Sequence, residues 1–262
     1  MEPMKVFSLV GYSGSGKTAT VELVIGELVR RGYKVGSVKE IHNEVFAIDS
    51  VPTSDTRRHR TAGASPVTAR GLRETDVLYP EKLDMKKILS QYDGCDYVVC
   101  EGVRDYAMPM VMTGSKADDV EKKWGEEVEG LKANWSDLIF CVSGRIADEI
   151  KEYKGLPAIS AAADIAAFTD LIEEKVFDLL PNAKPGHCGY CGGDCWTMAA
   201  KILRGEAKRS DCAGNATADL VMNGKRIDMQ PFMERMLRKT VLGMLSEFKG
   251  FVEGAEVNIT IR

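Results

Sequence analysis

Residues 11–18, with the sequence GYSGSGKT, constrain this chain more than any other stretch. They fit the pattern G-x-x-x-x-G-K-[ST], whose glycines let a loop turn its backbone N–H groups toward an anion. In such a loop the lysine reaches the β- and γ-phosphates of a nucleotide, and the final hydroxyl ligates Mg²⁺. The pattern predicts a phosphate-binding loop, with Lys17 as a catalytic residue and Thr18 as a metal ligand. The predicted nucleotide-binding residues of the loop are Gly11, Ser13, Gly14, Ser15, Gly16, Lys17 and Thr18.

The sequence around this loop has the pattern of a strand, a helix and a second strand. Strands are predicted at residues 5–10 and 33–38. Between them, apolar residues recur at the spacing of one helix face: Val21, Val24, Ile25 and Leu28. Such a unit implies parallel strands, and it places the loop at a helix N-terminus, where partial positive charge favours phosphate.

Farther along the chain, strands and helices are predicted to alternate. The predicted strands are residues 66–69, 76–79, 96–101, 108–113, 138–142 and 158–160, and the predicted helices are 81–91, 117–133 and 168–180. The fold class is therefore α/β, with a doubly wound and mostly parallel sheet of the P-loop NTPase type.

The apolar run at residues 96–101 ends in a carboxylate, Glu101. In P-loop proteins a carboxylate at a strand end near the loop holds Mg²⁺, directly or through water. Glu101 is therefore predicted to be a metal ligand with Thr18 and a catalytic residue with Lys17. The alternative is an ordinary polar residue at a strand end.

The polar stretch at residues 39–64 supplies further candidates for nucleotide binding. Asp49 is a second acidic candidate, and Arg57 and Arg58 lie in the basic run DTRRHR. Near a phosphate-binding loop, added positive charge suits a triphosphate or an anionic substrate. The alternative for this run is a solvated helix face.

Composition and net charge narrow the range of partners. The chain has 262 residues, 44% of them hydrophobic, enough for one large domain or an ordinary domain with a small one. A net charge of −4 does not favour nucleic acid or an anionic membrane. No apolar run approaches the length of a membrane span. We therefore expect a cytoplasmic protein with reduced thiols.

Four of the seven cysteines are grouped in the pattern C-x2-C-x3-C-x16-C. They are Cys188, Cys191, Cys195 and Cys212. Thiolates grouped in this way are typical of a metal centre, and a disulfide framework is disfavoured in a reducing cell. A helix at residues 196–204 would help to bring the last cysteine back to the others. Spacing alone does not distinguish an iron–sulfur cluster from a zinc ion at this centre. The remaining three lie in apolar runs and are predicted to be core residues: Cys95, Cys100 and Cys141.

Residues 181–186 (PNAKPG) would break the preceding helix and are typical of a linker. After the cysteines, an Asn-Gly pair indicates a hairpin at residues 219–229. A helix at 230–249 and a strand at 257–261 are predicted to follow it. The predicted domains are 1–180, the nucleotide-binding domain; 181–216, a four-cysteine module; and 217–262, a small α+β extension.

Several motifs follow the phosphate-binding loop in a fixed order. They are Val38-Lys39, Ile48-Asp49, the run at 55–64, VCEG at 99–102 and GLP at 155–157. Over about residues 4–180 the chain resembles the MobB family of molybdopterin-guanine dinucleotide biosynthesis proteins. One departure is that EIHN at residues 40–43 keeps a single histidine where that family has a histidine-rich stretch.

The resemblance implies a doubly wound fold that binds GTP with Mg²⁺ and forms a homodimer. It also implies help in attaching GMP to the molybdenum or tungsten pterin cofactor. The implied partners are the molybdenum cofactor guanylyltransferase and a recipient molybdo- or tungsto-enzyme.

The cysteine-rich stretch has a pattern of its own, with CGYCG at 188–192, AAK at 199–201 and Gly205 between the last two cysteines. It resembles the four-cysteine domain of the corrinoid iron–sulfur proteins. That resemblance implies a [4Fe–4S] cluster on the four cysteines. The gap before Cys195 is one residue shorter than in the usual form of that domain, which keeps zinc as the alternative.

These observations lead to one principal hypothesis, a GTP-binding accessory protein of molybdenum or tungsten cofactor maturation with weak GTP hydrolysis and a [4Fe–4S] module. Two alternatives stay open. One is a P-loop metallochaperone or iron–sulfur carrier that delivers a metal or cluster to a client enzyme. The other is a small-molecule kinase, whose acceptor would be clamped by Arg57, Arg58 and Arg60.

Overall fold

A computed structural model describes most of the chain, namely residues 4–42, 53–181, 193–212, 220–222, 225–227, 229, 231–252 and 257. The chain divides into two compact units, Met1–Leu179 and Leu180–Arg262. Three residues with predicted roles lie outside the described residues: Asp49, Cys188 and Cys191.

The first unit alternates strands and helices. In chain order they are β1 (Lys5–Val10), α1 (Lys17–Arg30), β2 (Val35–Lys39), α2 (Asp55–Thr61), β3 (Val67–Arg70), β4 (Thr75–Leu78), α3 (Met85–Leu89), β5 (Tyr97–Glu101), β6 (Met110–Thr113), α4 (Ala117–Trp124), β7 (Ile139–Ser143), α5 (Ile146–Glu149), β8 (Glu152–Tyr153), β9 (Leu156–Pro157) and α6 (Ile165–Lys175).

Five of these strands form one sheet in the order β2-β5-β1-β6-β7, and every neighbouring pair is parallel. The predicted α/β fold with a mostly parallel sheet is therefore confirmed. All residues of β5, β6 and β7 are buried, as expected for strands covered on both faces. Cys100 and Cys141 are wholly buried in β5 and β7, which confirms them as core residues.

The register of the sheet decides which side chains meet at its carboxyl edge. Glu101, the last residue of β5, pairs with Leu9 of β1 on one side and with Lys39 of β2 on the other. Because parallel strands end at the same edge, Glu101 and Lys39 lie beside the loop that follows β1.

The two antiparallel strands β3 and β4 confirm the short strands predicted at residues 66–69 and 76–79. This hairpin is mostly exposed, and the side chain of Leu72 in its connection is fully accessible to solvent. Helix α2, which packs near it, has no buried residue. This part of the unit therefore contributes little to the core.

The helices predicted at 117–133 and 168–180 differ in extent from those of the structure. The helix predicted at 117–133 ends at Trp124, because Gly125 closes it and the chain then turns back toward the phosphate-binding loop. The helix predicted at 168–180 begins at Ile165, where the Asp164 side chain accepts the N–H of Ala167, and ends at Lys175. The residues after α6 are extended instead and pair with the start of β1, the central strand: Asp178 bridges Lys5, and the Leu179 N–H donates to the carbonyl of Met4 at 2.9 Å.

Two further segments differ from prediction. The strand predicted at 158–160 is wrong, since Ala158 makes only an isolated bridge to Val142. The helix predicted at 81–91 is shorter than expected and runs from Met85 to Leu89. The Asp84 side chain caps its N-terminus by accepting the backbone N–H of Lys86.

The second unit is small. Its described elements are α7 (Cys195–Leu203), a 3-10 turn (Arg209–Asp211), β10 (Leu220–Met222), β11 (Lys225–Ile227) and α8 (Pro231–Leu245). Strands β10 and β11 pair antiparallel and confirm the predicted hairpin. Helix α7 confirms the helix predicted at 196–204, and α8 begins at a proline as expected. The last strand, predicted at 257–261, lies outside the described residues except for Val257. In the described part of the chain, no helix is long and apolar enough to cross a bilayer.

Candidate functional site

The loop at residues 11–16 joins β1 to α1 and is held in shape by its glycines. Gly14 and Gly16 have φ of 78° and 90°, in the left-handed region that glycine enters without steric cost. Gly11 has no room for a side chain, because a Cβ there would lie 2.3 Å from the carbonyl oxygen of Thr113. The loop therefore packs directly against the end of β6.

Ser15 anchors the middle of this loop. Its Oγ lies 2.8 Å from Oγ1 of Thr113, and the Thr113 hydroxyl donates to the carbonyl of Val10 at 3.1 Å. Since the single hydroxyl proton of Thr113 is used in that bond, the Ser15 hydroxyl is the donor in the first pair. Ser15 is 3% exposed, so its side chain shapes the loop, while the exposed Ser13 faces the cavity.

Lys17 is the first residue of α1, and its ammonium lies over the loop. Its Nζ donates to the carbonyls of Gly11 at 2.8 Å and Tyr12 at 2.6 Å. Burial lowers the pKa of Lys17, and the positive charge of Lys39 lowers it further, against the opposing effect of Glu101. A bound phosphate would favour the charged form of this lysine.

Thr18 and Glu101, the two predicted Mg²⁺ ligands, are in direct contact. The Thr18 hydroxyl donates to Oε1 of Glu101 at 2.9 Å, and Lys39 forms an ion pair with the same oxygen. The Glu101 side chain is only 8% exposed. One hydroxyl and one carboxylate oxygen are hard oxygen ligands of the kind that Mg²⁺ prefers, so these residues fit that ion.

A cavity of about 710 Å³ opens over the loop. Its wall includes the predicted residues Gly11, Ser13, Gly14, Gly16, Lys17, Thr18 and Glu101. Three lining cations were not predicted as site residues: Lys39, Arg104 and Lys123. The position of Lys39 at the end of a strand next to the loop was a usable signal. Nothing local in the sequence marks Lys123, which lies on a charged helix.

One carboxylate, that of Glu126, binds several side chains at the cavity edge. Its Oε1 accepts the hydroxyl of Tyr12 at 2.5 Å, and its Oε2 accepts Arg104 at 2.9 Å and Lys123 at 2.6 Å. Burial raises the pKa of Glu126, but the hydrogen bonds from Lys123 and Tyr12 outweigh it and leave the pKa lowered. The same contact raises the pKa of Tyr12.

The structure does not bring Arg57 and Arg58 to this cavity. Both lie on α2, where Ser54 caps the helix, and Arg58 pairs with Asp55 at 3.3 Å on the exposed surface. Neither arginine lines the cavity. Asp49, the other candidate from the same polar stretch, lies outside the described residues.

Two of the four predicted cysteine ligands are described, and both are buried. Cys195 is the first residue of α7, whose N-terminus is capped by Asp194, and Cys212 follows the 3-10 turn. A helix N-terminus suits the negative charge of a thiolate, which applies to Cys195, whereas Cys212 lies at the C-terminal end of its turn. With Cys188 and Cys191 outside the described residues, no group of three metal-ligating side chains comes together in the rest of the chain.

Residues 6–133 match the sequence model of molybdopterin guanine dinucleotide synthesis protein B, MobB. A protein of Methanocaldococcus jannaschii, named as a candidate molybdopterin-guanine dinucleotide biosynthesis adapter protein, is 26% identical over 98% of this chain and 97% of its own. The Haemophilus influenzae molybdopterin-guanine dinucleotide biosynthesis adapter protein is 28% identical over 41% of this chain and 61% of its own.

The fold has a counterpart among solved structures. The crystal structure of Bacillus subtilis MobB superposes with a TM-score of 0.50 and 22% identity, covering 66% of this chain and 98% of that one. The first unit therefore shares its fold with a MobB structure, while the relative from M. jannaschii extends the similarity into the second unit. Residues 6–133 of this chain are a MobB-family domain.

Proposed function

We propose that the chain is a GTP-binding adapter protein of molybdopterin-guanine dinucleotide biosynthesis. The observation that carries the proposal is the contact of Thr18 with Glu101 at a phosphate-binding loop within a MobB-family domain. The names of the relatives from M. jannaschii and H. influenzae support the cofactor pathway. Guanine specificity rests on the family resemblance.

In the proposed site each residue has one task. The backbone N–H groups of residues 11–16 hold the phosphates, and Lys17 turns from the loop carbonyls to the β- and γ-phosphates. Thr18 and Glu101 would hold Mg²⁺, which when bound offsets the charge of those phosphates. Lys39 orients Glu101 through their ion pair.

The test is titration of labelled GTP and ATP, each with Mg²⁺, against wild type and Lys17→Ala. Removing this ammonium deletes a charge-assisted contact worth roughly 1.5–3 kcal/mol, so GTP affinity should fall by about one to two decades. Lys34→Ala is the matched control, since Lys34 is exposed and does not line the cavity. Unchanged GTP affinity in Lys17→Ala would argue against the phosphate-binding role, and equal affinity for ATP would remove the guanine preference.

An adapter should bind the molybdenum cofactor guanylyltransferase and hydrolyse GTP slowly. We propose that it does so as a homodimer and that a recipient molybdo- or tungsto-enzyme is a further partner. Pull-down of purified guanylyltransferase with and without GTP tests the first interaction. Phosphoryl transfer stimulated by a small acceptor would instead support a kinase, although Arg57 and Arg58 do not line the cavity to clamp that acceptor.

We also propose a [4Fe–4S] cluster in the second unit, on Cys188, Cys191, Cys195 and Cys212. The four-cysteine pattern supports it, together with the burial of the two described thiols. Protein purified without oxygen should be brown, with about four irons per chain and acid-labile sulfide. A colourless protein with one zinc and no labile sulfide would replace the cluster with a zinc site.

A further inference from the structure

Two cations on the cavity wall, Arg104 and Lys123, have no task in the phosphate-binding loop itself. Both side chains are largely buried, at 18% and 13% exposure. Each lies against an aromatic ring, Arg104 at 5.1 Å from the centre of Trp135 and Lys123 at 4.9 Å from that of Tyr12. Withdrawing two positive charges from water in this way is costly unless negative charge compensates for them.

Among the residues that the structure describes, a single carboxylate, that of Glu126, is in contact with these two cations. Both cations share a single oxygen of Glu126, whose other oxygen accepts the neutral Tyr12 hydroxyl. One carboxylate faces two cations, and the aromatic rings carry no net charge. Within the group of Arg104, Lys123 and Glu126, two positive charges face one negative charge, and a bound anion would stabilise the two cations.

The place of these cations in the fold indicates which anion they meet. Arg104 follows Glu101 by three residues, just after the carboxyl end of β5, and it lines the same cavity as Glu101 and Thr18. Lys123 lies over the ring of Tyr12, which follows the first glycine of the loop. A diphosphate is held by the loop amides and Lys17, whereas a third phosphate extends past them toward the metal ligands.

We propose that Arg104 and Lys123 bind the γ-phosphate of the nucleotide and that Glu126 holds them in place until it arrives. The inference rests on the proposed nucleotide-binding function and adds a residue set that distinguishes the triphosphate from the diphosphate. On binding, the two cations exchange the shared Glu126 oxygen for phosphate oxygens. Glu126 thus competes with the γ-phosphate for Arg104 and Lys123. Its hydrogen bond to Tyr12 also joins the loop to the segment after α4.

The test compares Mg²⁺-GTP and Mg²⁺-GDP affinities by titration calorimetry on the full chain. Arg104→Gln and Lys123→Gln should each lower GTP affinity by about tenfold or more, since each deletes a charge-assisted contact. GDP affinity should change by less than about twofold. Lys122→Gln is the matched control, an exposed neighbour on the same helix that does not line the cavity. Thermal unfolding of each variant verifies that it is folded.

Glu126→Gln tests the competition separately, because the amide can still accept the Tyr12 hydroxyl but carries no charge. GTP affinity should rise severalfold in this variant, with GDP affinity unchanged. Equal losses of GTP and GDP affinity in the arginine and lysine variants would overturn the assignment to the γ-phosphate, and so would no loss at all. Weaker GTP binding by Glu126→Gln would overturn the competition. A wild-type chain that binds neither nucleotide would overturn the proposed function as well, so the two failures are distinguishable.

Discussion

The chain contains two glycine-rich stretches with predicted ligands, at residues 11–18 and 186–195, and they differ in what positions the ligating groups. In the first, the predicted ligands are backbone amides, side chains that begin α1 and the Glu101 carboxylate at the end of a buried strand. In the second, the ligands would be four thiolates, of which the described pair, Cys195 and Cys212, lies on different elements.

The two kinds of site obtain their geometry in different ways. A phosphate-binding loop is shaped by glycine conformation and by the sheet edge, so its form is present before any ligand binds. The contacts of Ser15 with Thr113 and of Thr18 with Glu101 are examples. A four-thiolate centre gains much of its folding free energy from the metal itself. Mutations should therefore act on the first site through packing and on the second through metal content.

The largest effect is expected from Gly11→Ala. Its Cβ would lie 2.3 Å from the carbonyl oxygen of Thr113, so the loop or β6 must move. Such a shift costs ~3 kcal/mol or more, and GTP affinity should fall by about a hundredfold or more. Calorimetric titration with GTP measures it.

Gly14→Ala is the matched control for that variant. A Cβ at Gly14 would meet nothing within 4 Å, so only the strain of φ 78° remains, about 1–2 kcal/mol of stability. GTP affinity should stay within about tenfold of wild type. If both glycine variants lose binding equally, backbone conformation rather than packing against Thr113 shapes the loop.

The next effect concerns the second stretch. Cys212→Ala should lose most of the iron and labile sulfide of anaerobically purified protein, because a cluster needs its fourth thiolate. Cys141→Ala should keep both, since Cys141 is wholly buried in β7 of the first unit. GTP affinity should remain within about twofold in both variants. Loss of GTP binding in Cys212→Ala would show that the two sites are coupled, and would contradict the expectation that they respond to mutation independently.

The smallest effect concerns the anchoring of the helix that carries the loop. Glu27 accepts hydrogen bonds from Arg30 and Arg31, and Arg31 also pairs with Asp170 and Glu173 at 2.6 and 2.5 Å. The bonds from Arg30 and then Arg31 lower the pKa of Glu27 from 4.5 to about 2. Its stabilising contribution is therefore present above about pH 4.5 and is lost as the pH falls toward 2.

We expect Glu27→Gln to lower the melting temperature at pH 7 and the gap to wild type to close as the pH approaches 2. Thermal unfolding followed by circular dichroism at several pH values measures this gap. The control is Glu22→Gln, an exposed position on the same helix. A gap that is independent of pH would mean that the carboxylate charge of Glu27 does not stabilise the fold.

Prediction from sequence succeeded where the residues that determine an element are close together in the chain. The strand before the phosphate-binding loop and the helix after it follow from residues 5–30, since apolar periodicity and glycine conformation act over short distances. It failed at residues 125–133, predicted as helix, because Glu126 is drawn to Tyr12, Arg104 and Lys123. It also failed after Lys175, where pairing with the start of β1 replaced helix. Helix propensity is a local preference, and long-range contacts outweighed it.

The residue pattern alone sufficed to predict the glycine-rich loop after β1, the carboxylate at the end of β5 and the parallel α/β class. Each of these is fixed by neighbouring residues and by the rule that parallel strands end at one edge. The cations around the loop could be identified only from the folded structure. Tyr12 and Glu126 are 114 residues apart in the chain, and Lys39 meets Glu101 through the register of two strands. Contacts of this kind depend on how distant elements pack, and no local pattern of residues encodes that packing.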